Sequence, residues 1–239
     1  MRPAGFWRRA AAWSLDATLV ALPVLALFAD RLRAATARLV DAWSVLVDAV
    51  AQGMAAAIIA TDVATAPGAG ALSALVHGAL RDPALLAASA DLQAALLALA
   101  GPPLGAFVVL FFIWCVGFER SALRATPGKR ALGMEVVDAV GGGRIGLAGA
   151  AARFLAGALS WLVLNLGHAL AAVPPEHAAL HDRLSRTRVV LDADAGQRLP
   201  AWAAAWLLLL GALLLSATAW ASLAMAATMQ AAVDRALWG

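Results

Sequence analysis

Residues 99–118 read LAGPPLGAFVVLFFIWCVGF and contain no charged side chain. A helix of about 20 apolar residues is long enough to cross the roughly 30 Å hydrocarbon core of a bilayer. Two prolines near the start, Pro102 and Pro103, are expected to kink or open the helix there. This stretch therefore predicts a membrane-spanning helix.

The whole chain shares this apolar character. Of its 239 residues, 63% are hydrophobic and 14% are charged, and the mean hydropathy is +0.80. Soluble domains contain about 25% charged residues, so this chain has too little polar surface for a water-soluble globule. Because the apolar residues are gathered in long runs, we predict one membrane domain over residues 1–239, an all-α polytopic bundle of transmembrane helices.

Two further spans are predicted at the ends of the chain. Arg8 and Arg9 precede an apolar run over residues 10–28, as in a signal peptide, but Asp16 interrupts the run. We therefore interpret this segment as an uncleaved first span. Residues 200–228 are uncharged and flanked by tryptophans, which are typical of membrane interfaces, and they predict an additional C-terminal span.

The segment between the first two spans, residues 29–93, is interpreted as an insertion. Leu39, Trp43 and Val47 recur at helical spacing, whereas Asp41 and Asp48 lie on the opposite face. This pattern predicts amphipathic helices that do not cross the membrane completely. They could lie on the membrane surface or fold back on the spans.

A small cytoplasmic β element is predicted from two β-prone runs, one before and one after a further apolar segment, residues 148–173. Residues 134–137 and Ile145 flank three glycines, a strand, turn and strand signal, and residues 187–191 form another β-prone run. The two runs could pair only on one side of the membrane. The segment between them could cross once, or enter as two half-length helices and return.

The basic residues predict the orientation of the chain. Arg2, Arg8 and Arg9 place the N-terminus in the cytoplasm. A re-entrant segment at 148–173 gives three spans and an external C-terminus, whereas a full crossing gives four spans and an internal one. The loop after the second span is predicted to be cytoplasmic because it contains Arg120, Arg124, Lys129, Arg130 and Arg144.

Composition and motifs exclude several classes of function. The 18 basic and 15 acidic residues give a net charge of +3, but the basic residues lie beside hydrophobic spans, so we expect contact with anionic lipid headgroups rather than nucleic acid. The single cysteine, Cys115, cannot form an intrachain disulfide. His177 and His181 have the spacing of two metal ligands but lack a third, so no metal and no cofactor is predicted.

Nor does the sequence predict an enzyme, since neither Ser160 nor Ser185 lies in a nucleophile elbow. The turn at Gly128 lacks the spacing of a phosphate-binding loop. We interpret Lys129 and Arg130 in this turn as a candidate contact to lipid phosphate.

Asp16 is the most informative residue, because an ionisable carboxyl inside an apolar helix usually faces a partner or a water-filled cavity. It could bind a cation or relay protons, or it could pair structurally with Arg9, Arg153 or a backbone group. Asp182 lies outside the apolar runs and could cap a helix. Alternatively, it could pair with Lys129, Arg130 or Arg153.

Several blocks in this order resemble the RDD family of small bacterial membrane proteins, named for one arginine and two aspartates. The resemblance covers residues 3–28 and about 99–192, including the blocks 5–16, 126–133, 153–155 and 181–190. It implies that Arg9, Asp16 and Asp182 are the three named residues. It also implies a multi-pass protein of the bacterial inner membrane, and transport of cations or protons has been proposed for some members. We therefore expect a transporter of small ions or solutes, or alternatively a non-transporting membrane scaffold or assembly partner.

Overall fold

A computed structural model describes residues 2–60, 78, 81–162, 164–196 and 198–238. The chain forms two compact units. We call Met1–Ala26 with Gly105–Ala212 the sheet unit, and Leu27–Leu104 with Leu213–Gly239 the helical unit. In chain order the elements are β1 (Arg2–Pro3), α1 (Phe6–Leu27), α2 (Ala29–Ala60), α3 (Pro83–Glu119), α4 (Pro127–Ala131), β2 (Met134–Asp138), α5 (Leu147–Leu162), α6 (Leu166–Ala169), a 3-10 turn (Leu170–Ala172), α7 (Leu180–Leu184), β3 (Thr187–Leu191) and α8 (Ala201–Trp238).

Four of the described helices are long and apolar enough to cross a membrane, which confirms the predicted all-α membrane fold. They are Phe6–Leu27, Ala29–Ala56, Pro83–Glu119 and Ala201–Trp238. The expected opening of the chain at Pro102 and Pro103 is wrong, because α3 begins at Pro83 and continues through both prolines. The Ala- and Leu-rich sequence before them has high helix propensity and extends the helix towards the N-terminus.

The small sheet has the strand order β1-β3-β2 and is antiparallel throughout. Its longer pair runs from Met134 opposite Leu191 to Asp138 opposite Thr187, which confirms the predicted pairing. The prediction of a strand at Ile145 is wrong, because β2 pairs with β3 instead of turning back on itself. β1 was not predicted, since a two-residue strand that contains proline has no recognisable sequence signal.

The apolar segment between β2 and β3 is a bent pair of helices. Leu147–Trp161 and Leu166–Ala172 meet at 115°. β2 and β3 pair with each other, and paired strands lie about 5 Å apart. The helix pair between them must therefore begin and end at the same sheet. A full crossing would separate the two ends of the pair by roughly 30 Å. The strand pairing therefore favours the re-entrant alternative.

Small and branched apolar side chains form the core of the sheet unit. Ala4, Ala11 and Ala12 are fully buried, and their small size allows close approach to the N-terminal part of α1. They pack with residues of α3, the sheet, α5 and two adjoining loops, among them Val116, Leu132, Met134, Val136, Ile145, Ala150 and Val189. This packing holds α1 against the turn that follows α3.

In the helical unit, α2 contacts the C-terminal part of α8. Val47, Ala51 and Ala232 are buried in the contact, and Trp43 Nε1 donates a hydrogen bond to Thr228 at 2.8 Å. The predicted apolar face of the insertion therefore has a partner. The expectation that the insertion does not cross the membrane stays a prediction, because Ala29–Ala56 is long and apolar enough to cross.

Candidate functional site

Asp182 lies at the centre of a buried charge network in the sheet unit. Its side chain has no exposed surface, and its carboxylate accepts hydrogen bonds from the guanidinium groups of Arg9 and Arg153. The backbone N–H of Ala179 donates to Oδ2 at 2.9 Å. Burial alone would raise the pKa of Asp182, but the charges of Arg153 and Arg9 outweigh it and hold the pKa well below its usual range. Asp182 is therefore an ionised group held from both sides.

Arg153 joins Asp182 to a second acidic group. Its Nε lies 3.4 Å from Oε2 of Glu119, a residue that is 4% exposed at the end of α3. Oε1 of Glu119 accepts a hydrogen bond from Lys129 Nζ at 2.5 Å. Burial alone would lower the pKa of Lys129, but attraction to Glu119 outweighs it and raises the pKa. The network thus combines three cations with two anions: Arg9, Lys129 and Arg153 with Asp182 and Glu119.

Asp16 occupies a separate site, where every donor found among the described residues is neutral. Its side chain is 1% exposed. It accepts hydrogen bonds from Trp114 Nε1 at 3.1 Å, from the hydroxyl of Thr126, and from the backbone N–H of Gly128 at 2.8 Å. Of the structural partners expected for Asp16, the backbone group is the one observed. Asp16 is therefore enclosed and hydrogen-bonded at both carboxylate oxygens.

The turn that encloses Asp16 requires glycine at position 128. A Cβ atom there would lie 2.3 Å from the carbonyl oxygen of Ala12 and 2.8 Å from Oδ2 of Asp16. Thr126 is the N-cap of α4, and its hydroxyl also accepts the backbone N–H of Lys129 at 3.4 Å. This turn therefore fixes Asp16 and brings Lys129 to the charge network.

Three polar side chains lie around the bend of the helix pair, one buried and two half-buried, and we call Ser160, His168 and His181 the polar hinge. Ser160 Oγ and the Nδ1 atoms of both histidines are buried and have no hydrogen-bond partner among the described residues. The two imidazole rings are 5.1 Å apart. A Cβ atom at Gly167 would lie 2.3 Å from Ser160 Oγ, so glycine is needed for this close approach.

The protonation of His181 follows from its neighbours. Nη2 of Arg153 lies 3.3 Å from Nε2 of His181, and because a guanidinium group can only donate, Nε2 must accept. Burial, and then the charge of Arg153, lower the pKa of His181 well below its usual value of 6.5. At neutral pH the ring is therefore uncharged, and its proton lies on Nδ1, facing no acceptor among the described residues.

The structure separates the three residues that the family resemblance singled out. Arg9 contacts Asp182, whereas Asp16 belongs to its own enclosed site. The sequence left Lys129, Arg130 and Arg153 as possible partners of Asp182. Arg153 is the one observed, and Lys129 contacts Glu119 instead.

The residues of the candidate lipid contact lie in different environments. The Lys129 side chain is 16% exposed and is engaged with Glu119. The Arg130 side chain is 48% exposed and lies near Glu135 and Asp192. Contact with lipid phosphate stays a prediction, and Arg130 is the more accessible of the two.

The two histidines considered as metal ligands have different surroundings. Nδ1 of His177 donates to the carbonyl oxygen of Ala171 at 2.9 Å, while His181 faces Arg153. No group of three candidate metal ligands occurs in the part of the chain that the structure describes.

Sequence reasoning missed several members of these sites. Glu119, Trp114 and Thr126 had no assigned role, although each contacts a residue that did. Only one signal was available, the occurrence of Glu119 directly after an uncharged span. Trp114 and Thr126 are far in the sequence from their partner Asp16, by 98 and 110 residues.

The long apolar helices, together with the buried charge network of the sheet unit, identify an α-helical membrane protein. The chain belongs to the RDD family, whose model matches residues 3–186. The match includes the insertion and ends before β3 and α8. No match was found among curated proteins or among solved structures.

Proposed function

We propose that this protein moves small ions or protons across a bacterial inner membrane, with the polar hinge as the site of passage. The observation that carries the proposal is a group of three buried polar atoms near the bend of the helix pair, none of which has a hydrogen-bond partner among the described residues. Leaving such groups unsatisfied costs about 1–3 kcal/mol each. Broken helices at membrane depth are tolerated where they line a cavity, and transporters use them for substrate sites.

The chemistry of the polar hinge fits a small polar species or a proton. The uncharged His181 offers an N–H donor, while Ser160 offers a hydroxyl and His168 a second ring nitrogen. The guanidinium group of Arg153 and the carboxylate of Asp182 both lie next to His181. Movement of one of these groups would therefore change the proton affinity of the imidazole ring. No enzymatic reaction is part of this proposal.

Asp16 is not part of the proposed path. Its carboxylate is enclosed and bonded to three donors, so we assign it to holding α1 against the turn after α3. Replacing it with Asn is therefore expected to reduce the amount of folded protein rather than to change ion selectivity.

The test is flux in proteoliposomes that contain the purified protein, with a pH-sensitive dye inside and Na⁺, K⁺ or Li⁺ added outside. We expect Ser160→Ala and His168→Leu each to reduce the flux about tenfold, the effect of losing one hydrogen bond of roughly 1.4 kcal/mol. Ser121→Ala is the matched control, because the Ser121 hydroxyl donates to the Phe118 carbonyl oxygen at 2.7 Å outside the polar hinge. Equal flux in all variants would contradict the assignment of the polar hinge.

A second candidate function is a membrane scaffold that transports nothing. The observation that favours it is the enclosure of Asp16 and Asp182, whose carboxylates are both fully engaged. Wild-type flux equal to that of empty liposomes under every gradient, together with loss of folded protein in Asp16→Asn, would support the scaffold and exclude transport of these ions.

A further inference from the structure

A second candidate site lies beside the N-terminal strand of the sheet unit. A cavity of about 490 Å³ is lined by Arg2, Trp7, Arg8 and His177. It shares no side chain with the polar hinge or with the site of Asp16. We call it the arginine pocket.

The charge of Arg8 in this pocket has no anionic partner in the part of the chain that the structure describes. Arg8 is 5% exposed. Its guanidinium group donates to the backbone carbonyl oxygens of Leu132 at 3.3 Å, Gly196 at 2.7 Å and Arg198. Arg153 is equally buried but contacts both Asp182 and Glu119. A buried charge is normally paired, because removing it from water is costly.

Arg2 adds a second positive charge to the same cavity. Its Nη2 donates to the carbonyl oxygens of Ala193 at 2.9 Å and Ala195 at 3.0 Å. Among the described residues, no carboxylate lies within salt-bridge distance of Arg2 or Arg8, and the two guanidinium groups repel each other. An anion in the cavity would neutralise both.

The position of the pocket indicates which anion. It is formed by the first turn of α1, a helix long and apolar enough to cross the membrane, and the Trp7 side chain beside it is 66% exposed. Exposed tryptophans at the ends of transmembrane helices lie at the level of the lipid headgroups. The planar donors of arginine match phosphate oxygens in two-point hydrogen bonds.

We propose that the arginine pocket binds the phosphate group of an anionic phospholipid. The site uses residues that the proposed transport function does not, and it stands whether or not the protein transports ions. Lipid bound there would pair the charge of Arg8 and hold the start of α1 at the membrane surface.

The test is titration of the purified, detergent-solubilised protein with phosphatidylglycerol, with binding followed by native mass spectrometry and by the rise in melting temperature. We expect saturable binding of one lipid, weakened about tenfold by Arg2→Gln, which corresponds to roughly 1.4 kcal/mol. Arg8→Gln should weaken binding at least as much. Because Arg8 also holds three carbonyl groups and its variant could fail to fold, the exposed Arg2 provides the decisive variant.

The matched control is Arg188→Gln, which removes the same charge from an exposed position on β3 away from the pocket. Equal weakening by Arg188→Gln would show general charge attraction and overturn the proposal. Equally tight binding of phosphatidylcholine would also overturn it. Inorganic phosphate that binds alone and displaces the lipid would show that the pocket takes a soluble anion, which contradicts the lipid assignment.

Discussion

At Gly128 the chain has no room for a side chain, because a Cβ atom would lie 2.3 Å from the carbonyl oxygen of Ala12. We expect Gly128→Ala to force the turn away from α1 and to break the hydrogen bonds of Asp16. The free energy of unfolding should fall by roughly 3 kcal/mol, at the upper end for overpacked sites. Thermal unfolding in detergent measures the effect. Gly146→Ala, where a Cβ atom would meet nothing within 4 Å, should leave the melting temperature unchanged.

At His181 the structure predicts a pH dependence of stability. The pKa of the folded state lies below 6.5, so the unfolded chain takes up a proton first as the pH falls. The stabilisation is therefore complete above about pH 6.5 and is lost as the pH falls from there towards the folded-state pKa, at up to about 1.4 kcal/mol per pH unit. Burial lowers the pKa of His181 most, the charges of Arg153, His168 and Arg9 lower it further, and the carboxylate of Asp182 opposes them.

The measurement is the melting temperature between pH 7.5 and pH 5 for the wild type and for His181→Gln. The wild type should lose stability over this range, and the variant should lose less. A parallel decline in both proteins would assign the pH dependence to another group.

Among the elements, the bent helix pair makes the clearest topological prediction. Val140, 92% exposed before the pair, and Glu176, whose side chain is 64% exposed after it, should lie on the same side of the membrane. In a Cys115→Ala background, Val140→Cys and Glu176→Cys should react with an impermeant maleimide from one side only. Asp30→Cys, beyond the end of α1, should react from the other side. Labelling of Val140→Cys and Glu176→Cys from opposite sides would establish a full crossing.

The sequence allowed the elements to be predicted better than their contacts. Runs of apolar residues identify helices, and β-branched residues at 136–137 and 187–190 identify β2 and β3, because both signals are local. The charge network depends on pairs such as Arg9 and Asp182, which are 173 residues apart. The burial of Lys129 could not be predicted either. Its partner Glu119 lies at the end of an apolar helix, where its side chain could equally have faced water.

For the whole molecule, the three-stranded sheet constrains the number of crossings. β1 precedes α1, β2 follows α3, and β3 precedes α8, so all three helix ends lie on the side of the sheet. If α1 and α3 each cross once, the chain from residue 28 to residue 82 begins and ends on the opposite side. A crossing by α2 would then need a return crossing before residue 83. The absence of a complete span from the insertion stays a prediction, because Ala29–Ala56 is long and apolar enough to cross.

The number of membrane crossings also predicts the side on which the C-terminus lies. α8 leaves from the side of the sheet, which the basic residues assign to the cytoplasm, so a reporter fused after Gly239 should give an external signal. A reporter fused before Met1 should give a cytoplasmic one. A cytoplasmic signal after Gly239 would show that α8 does not cross, or that the chain crosses once more before it.

The long separation between Arg9 and Asp182 has a consequence for synthesis. A ribosome adds about 5–20 residues per second, so the 173 residues between them take roughly 10–35 s to make. During that interval α1 has already been synthesised. Arg9 still lacks Asp182, and the backbone N–H of Ala4 still lacks the carbonyl oxygen of Val189 that later accepts its hydrogen bond. The start of the first helix can therefore make its final contacts only after residues 182–189 have been synthesised.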